Sequence, residues 1–459
     1  MSGLDTSLFI GVQALGADEG ALQITNNNIA NANTPGYSRE VVSLSSAPAT
    51  DTGQGVMGNG VELNGYQSIR DEVLQTRIAQ QTQQNGEANA QLSSLQQVQT
   101  AFTTSTQDIG TEFSNFFTGL SGLATNPANP SARQGVLSSA QNLVNAFHTA
   151  SAGITERQTG LNDKVTQDVT QINNLSAQIA SISRQIESAK GAGENTGAYQ
   201  DQQDQLVLSL SKLTSVSVTH TEGTDTLSMA DGTPLVSGGQ SFALGSTTGS
   251  DGFTHVLDSS GHDITSTMSG GDLGGNIQVR DVAMAGVLAK LDTLASQFAG
   301  AVNAAQAKGF DQNGAAGQNL LTVPATVPGS AASISLATMN TTAIAASSDG
   351  SPGSNGNLVN LTAVQTALLP SGQNPTDAYA SIVFEVGTLT ANAQADATAT
   401  SSSLTQLTDQ RNAVSGVSVD EESANLIRYQ QAYEAAARVV TTVQALIVAT
   451  MSMGTAAAA

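Results

Sequence analysis

Apolar residues return every seven positions at both ends of this chain. Near the start the series is Leu8, Leu15, Leu22 and Ile29, with Ile10, Ala17 and Ile24 running beside it. A strict period of seven over 4–29 predicts a helix that packs against partner helices. Near the end, Leu426, Tyr429, Tyr433, Ala436, Val440, Val443 and Ile447 make one stripe, and Val439, Leu446 and Ala449 occupy a neighbouring face. A helix that is apolar around most of its circumference sits deep in a core or among several partners. First and last helices are seldom the deepest core elements, so contact between subunits is the better reading.

Between these ends the pattern changes twice. The first helix dissolves at Asn31–Gly36, where Thr34-Pro35-Gly36 forces a turn. Residues 39–50 alternate like a short strand followed by a loop, and 61–69 is strand-like or irregular. A long helical region begins near Asp71 and runs, with breaks, to about Ala189. Its last part carries Val165, Val169, Ile172, Leu175, Ile179, Ile182 and Ile186 at steps of three and four, which predicts a coiled-coil seam. A further helix over 198–213 follows. Residues 214–279 then show short alternating runs such as Val216, Val218 and His220 between Gly/Asp/Ser/Thr turns, the rhythm of a small β domain. Helices return over 280–308, 377–413 and 420–453.

The fold class is therefore mainly α with a β insert (α+β). Residues 1–36 plus 420–459 form a terminal coiled-coil domain in which the two end helices pair. Residues 37–213 plus 280–419 form a rod-like helical domain with short β elements, and 214–279 form the inserted β domain.

Composition narrows the chemistry. In 459 residues there are 37 acidic and 15 basic side chains, a net charge of −22, and no Cys or Trp. Charged residues make up 11%, against about 25% in an average soluble protein, so Ser, Thr, Gln and Asn must supply the polar surface. No basic stripe is available to neutralise phosphate, which excludes nucleic acid as a partner class and disfavours an anionic membrane surface. Without cysteine there is no disulfide, thiolate metal site or thiol nucleophile. Val439–Ala459 is uncharged, but Thr441, Thr442, Gln444, Thr450, Ser452 and Thr455 interrupt it, so it reads as an interaction helix rather than a membrane span.

Candidate chemical motifs fail on context. Gly53-Gln54-Gly55-Val56-Met57-Gly58 has the spacing GxGxxG, but SSAPATDT precedes it where an apolar strand would be needed. His255, Asp258, His262 and Asp263 can approach one another, yet their spacing is that of a solvated turn. Phe310–Gly314 looks like half a calcium loop without its closing glutamate. Glu421-Glu422 reads as acid favoured at the start of a helix. Nothing supports a catalytic, cofactor or metal assignment.

The stretch Ile29-Ala30-Asn31-Ala32-Asn33-Thr34-Pro35-Gly36-Tyr37-Ser38-Arg39 resembles the N-terminal signature of bacterial flagellar axial proteins. Gly416–Val439, with Asn425, Gln430, Gln431 and Tyr433, is similar to their C-terminal signature. Leu123–Arg133, Gly270–Asp281 (GGDLGGNIQVRD) and Leu291–Gly314 are similar to the hook–filament junction family among them. Gln306 departs from a usual His, and 198–206 is a loose version of an Asp/Gln/Arg-rich stretch.

The resemblance implies a structural subunit that assembles with itself in a ring between hook and filament. It also implies location outside the cell on the flagellum, reached through type III export without a cleaved signal. The implied partners are the hook protein, the second junction protein and an export chaperone on the C-terminal helix, which would contact Leu426, Tyr433, Val440 and Ile447. Another axial protein, hook or rod, and a secreted coiled-coil effector are the alternatives. On the assembly reading, Asn26–Asn28 would hydrogen-bond to neighbouring subunits or water within a tube wall.

Overall fold

The computed structural model describes residues 2–51, 55–103, 108–221 and 224–456. Helix α1, Ser2–Asn31, ends where the expected turn begins. Pro35 and Gly36 occupy the two central turn positions, the Tyr37 amide donates to the Thr34 carbonyl at 3.2 Å, and Gly36 has φ +82°. That is type II chemistry, in which proline presets the first φ and only glycine readily adopts the second. The chain then folds back along α1 as a β ribbon made of β1 (Glu40–Ser46) and β4 (Val61–Ser68). Their antiparallel register runs from Glu40↔Ser68 to Ser46↔Val61. The ribbon continues as β2 (Thr50–Asp51) paired with β3 (Val56–Met57). Of the Gly53–Gly58 string, Gly53 and Gln54 lie outside the described residues. Val56 and Met57 are strand, so no helix opens where a dinucleotide would need one.

The body is built on α2 (Glu72–Thr103), α3 (Ile109–Thr125), the 63-residue α4 (Pro130–Ala192) and α5 (Gly197–Leu213). Asp108 caps α3 through the Thr111 amide. Asn129 caps α4 ahead of Pro130, which explains the TNPANP punctuation. Six strands follow. β5 (Ser217–Thr221), β6 (Thr224–Ser228), β7 (Pro234–Ser237) and β8 (Gln240–Ser241) form a meander, and β9 (Gly245–Thr248) pairs with β10 (Thr254–Leu257). After them come α6 (Gly271–Gln278), a π-helical turn Val279–Met284 and α7 (Ala285–Gln306). Short elements lead on: β11 (Leu321–Thr322), α8 (Ser330–Ser333), β12 (Ser335–Leu336) and α9 (Leu358–Ala363). Two long helices close the chain, α10 (Pro375–Ser415) and α11 (Val419–Ala456).

Two buried clusters hold the body. In one, Phe113, Phe116, Phe117, Phe147 and Phe298 meet edge to face, with Phe113 and Phe298 centroids 4.9 Å apart, among apolar side chains of α2, α4, α7, α9 and α10. Arg133 is fully buried there. It donates from Nε to the Pro127 carbonyl at 2.6 Å and from an amino group to those of Thr341 and Ile344 at 3.0 Å. In the other cluster the α4 stripe is covered by two kinds of element. Val165, Val169, Ile172 and Ile179 share it with Leu210 and Leu213 of the helix α5 and with Leu227, Leu235 and Val256 of the strands, so the helix-on-helix seam holds in part and the sheet completes it. Spacing of three and four dictates an apolar stripe; it does not dictate what covers the stripe.

Residues 271–278 are also helical rather than part of the β segment. A Cβ on Gly275 would lie 2.6 Å from the Glu87 carbonyl oxygen, and one on Gly86 2.5 Å from that of Lys212. The glycines that look like turn residues are where α6 presses on α2. Fully buried Arg280, in the π-helical turn, donates to Asn162 at 2.8 Å and to the Thr254 carbonyl at 3.1 Å, tying β10 to α4.

Candidate assembly interface

The two end helices pair antiparallel. Asn28 meets Glu422 at one end, and Gly11 faces Val440 at the other, where a Cβ on Gly11 would be 2.8 Å from Val440 Cγ2. On α11, Val443 is buried, and Leu426, Tyr429, Ala436, Val440 and Ile447 are half-buried; Tyr433 is exposed. On α1, Leu8, Leu15, Leu22 and Ile29 are half-buried, whereas Ala17, Ala21, Ile24 and Asn28 are fully buried. The ribbon accounts for part of this, because Leu63 and Tyr66 cover Gly20.

Much apolar surface stays open on this pair. Phe9 and Val12 on α1 are exposed, as are Ile427, Val439, Leu446, Val448, Met451 and Met453 on α11. The run Pro375–Met453 holds an 18-residue window of mean hydropathy 1.4, long and apolar enough to cross a bilayer, of which 6% is buried. The threonines and Gln444 that interrupt this run suit helix neighbours that offer hydrogen bonds better than lipid tails.

Where this pair meets the body, three chain crossings lie side by side. The Arg39 amide donates to the Ser415 carbonyl at 2.9 Å, and the Ile69 amide donates to the Arg39 carbonyl at 2.8 Å. Around this neck sits a network of charged and amide side chains. Arg39 Nε donates to Glu422 at 2.7 Å and its amino group to Glu421 at 2.8 Å. Burial disfavours the Arg39 cation, but the two glutamates outweigh it and hold the guanidinium above its ordinary pKa. Ser38 donates from its amide and hydroxyl to Asp201 at 3.0 and 2.7 Å. Arg70 bonds Asp201, and Asp204 at 2.8 Å. Buried Arg411 donates to the carbonyls of Gly36 at 2.6 Å and Tyr37 at 3.0 Å. Burial pushes the Asp204 carboxyl up to about 6 despite Arg70 beside it. Burial, then the charges of Glu40, Asp201 and Glu422, raise the Tyr37 phenol.

For Asn28 the expectation is corrected here. Asn28 is buried within its own chain: its Oδ1 accepts from Tyr37 at 2.8 Å and the Glu40 amide at 3.0 Å, and its Nδ2 donates to the Glu40 carbonyl at 2.8 Å. Asn27 donates to Glu40 at 3.3 Å, and Asn31 donates to Asn27 Oδ1 at 2.9 Å. Asn26 alone of the three is exposed without such a role. Polar groups in a buried turn find the nearest partner, and the returning ribbon is nearer than any second subunit.

Of the signature residues, Gly36 and Tyr37 lie in the neck. Asn31 and Thr34 hydrogen-bond to each other beside it at 3.2 Å. Asn33 and Pro35 are exposed on the turn; Gln430 and Gln431 are exposed on α11, and Asn425 is half-buried. Sequence reasoning missed Asn28, Ser38, Arg39, Glu40, Asp201, Arg411 and Glu422 as one cluster. The signal available was scarcity, since charged residues are few and buried ones must be paired. Glu421 and Glu422 do begin a helix, but they also bind Arg39.

The remaining candidates resolve as turns. His255 Nδ1 lies 2.5 Å from Asp263 and its Nε2 3.3 Å from Asp251, while His262 pairs with Asp258 at 3.2 Å. The hydrogen bond to His255 holds Asp263 down at about 2. Asp311 Oδ1 accepts from the amides of Asn313 and Ala315, both at 2.8 Å, which closes its loop as a turn. Gln306, at the place of the usual His, is buried and accepts from the Ala345 amide at 2.8 Å.

Antiparallel end helices, a returning ribbon and a long-helix body make up the architecture that the comparisons match. Three family matches agree: "Flagella basal body rod protein" over residues 8–37, "Flagellar hook-associated protein FlgK helical domain" over 95–321, and "Flagellar basal body rod FlgEFG protein C-terminal" over 410–453. The chain is 28% identical to flagellar hook-associated protein 1 of Escherichia coli K12, covering 95% of this chain and 97% of that one. It is 29% identical to the protein of that name in Bacillus subtilis 168, covering 95% and 96%. The solved flagellar hook junction protein FlgK from Burkholderia pseudomallei shares the fold, with a TM-score of 0.68, 19% identity and coverage of 74% of this chain and all of that one. The chain belongs to the flagellar hook-associated protein 1 family and is a structural component of the bacterial flagellum.

Proposed function

We propose that this chain is the junction subunit that assembles in a ring between hook and filament and is needed for filament assembly. The observation that carries it is the open apolar surface of α1 and α11, which a lone subunit leaves in water. Exposed apolar patches of that kind mark interfaces. Leu8, Leu15, Leu22 and Ile29 with Leu426, Tyr429, Tyr433, Ala436, Val440, Val443 and Ile447 form the packing seam. Residues 1–36 plus 420–459 act as the assembly domain and 37–213 plus 280–419 as the rod; within 214–279 the strands up to Leu257 act as the insert, while α6 packs with the rod. The hook protein and the second junction protein are its neighbours outside the cell.

Before assembly, a chaperone covers Leu426, Tyr433, Val440 and Ile447, and the type III apparatus exports the chain without signal cleavage. The role needs no catalysis, since packing alone performs it. Deleting the gene tests this. Hooks are expected to form while flagellin is shed unassembled; normal filaments in that strain would overturn the assignment.

A further inference from the structure

Residues 214–279 hold seven acidic side chains and neither Lys nor Arg, yet three of the chain's four histidines. One of these, His255 on β10, is held in a way that fixes its charge. Its Nδ1 lies 2.5 Å from a carboxylate oxygen of Asp263, and its Nε2 lies 3.3 Å from one of Asp251. An ionised carboxylate only accepts hydrogen bonds, so each ring nitrogen must carry a hydrogen, and such a ring is an imidazolium. The bonds to Asp263 and then Asp251 raise the imidazole above the ordinary histidine value, while burial opposes them.

The two carboxylates order two different turns. Asp251 Oδ1 accepts from the Phe253 amide at 3.0 Å and closes the turn between β9 and β10. Asp263 Oδ1 accepts from the Thr265 amide at 2.9 Å and its hydroxyl at 2.6 Å, and Thr265 Oγ1 accepts in turn from the Val256 amide at 2.8 Å. His255 thus joins the 249–252 turn to the 258–263 turn across β10. Phe253 also carries the Arg280 guanidinium over its ring, 5.0 Å from the centroid. The ring's contacts therefore lead to the residue that ties the hairpin to α4.

We propose that protonated His255 is a clasp that holds these two turns together in acid and neutral surroundings and releases them in alkaline ones. No other charge replaces it. Thr247 of β9 stands opposite it in register, and Asn162 and Thr166 of α4 reach only Thr254 beside it. His262 pairs with Asp258 at the next turn, and Arg280 is engaged by Asp281 at 2.6 and 2.9 Å. Among the described residues no Lys or Arg bonds Asp251 or Asp263. A group whose pKa folding raises adds stability that is complete below its unfolded value, about 6.5, and lost as pH rises through the folded value. Once the proton leaves, one carboxylate faces a ring lone pair and the two turns part. At the acid end the clasp lasts down to about 2, where Asp263 takes up its proton.

With only four imidazoles in the chain, ring nitrogen spectra of the isotope-labelled full-length monomer test this directly. His255→Gln identifies the signal. More than half of His255 is expected to remain charged at about pH 7.5, with hydrogens on both nitrogens; a midpoint at or below about 6.5 overturns the clasp. Exchange of the Phe253 and Thr265 amides, corrected for its intrinsic pH dependence, is expected to quicken at least about fivefold between about pH 6 and about pH 9. In His255→Gln both amides should exchange fast at either pH. Equal protection at both pH values in the wild type, or an unchanged pH dependence in His255→Gln, overturns the clasp. The wild-type measurements decide the matter even where the variant does not fold, and either result leaves the junction role standing.

Discussion

The phenylalanine cluster of the body and the end-helix pair are built from similar apolar residues and finished to different degrees. Phe113, Phe117 and Phe298 are sealed by neighbours from their own chain. The α1–α11 pair buries one seam and leaves its other faces in water. A closed core stores its stability in the monomer. An open one holds it back until other subunits arrive. The difference shows where folding ends in this molecule and assembly begins.

The sharpest way to break the comparison is to remove residues 439–456. The isolated body should melt at nearly the wild-type temperature while filaments are lost altogether; a large fall in Tm would mean that α11 belongs to the monomer core. Phe298→Ala is the converse. It should cost roughly 3–5 kcal/mol through the cavity it leaves, read as a lower midpoint in denaturant, before any effect on assembly.

Arg411→Ala addresses the boundary between the two regions. It takes the donor from two partly buried carbonyls and removes a cation near Asp201 and Asp204. A loss of about 1–3 kcal/mol is expected, with proteolysis appearing first near Tyr37. Unchanged protease resistance at the neck would refute the coupling.

A smaller effect concerns pH in the body alone. Burial pushes Asp168 up from 3.8 to about 6. Between those values the folded chain binds more protons than the unfolded one, so stability falls as pH rises through that window. Asp168→Asn should flatten this slope and add on the order of 2 kcal/mol above pH 6. An unchanged slope in the variant would assign it to other groups.

Helices over 4–29, 161–189 and 420–453 were legible because apolar spacing reports a helix face directly. What covers each face was not. The stripe of α4 looks the same whether a helix or a sheet lies on it, and here α5 and the strands over 217–257 share it. Gly275 read as a turn residue because sequence shows flexibility, not the approach of α2. In the candidate interface, the α11 stripe was visible from its seven-residue period. The neck was not, because Arg39, Asp201, Arg411 and Glu422 are brought together only by tertiary folding.

The three crossings at the neck also have a mechanical meaning. Ser415, Arg39 and Ile69 are stitched across one another, so a twist applied to the end helices loads both backbone bonds sideways and together. Bonds arranged to share shear fail as a set, whereas a single hinge strand would peel open one bond at a time. The neck thereby gains a collar out of one short run of backbone.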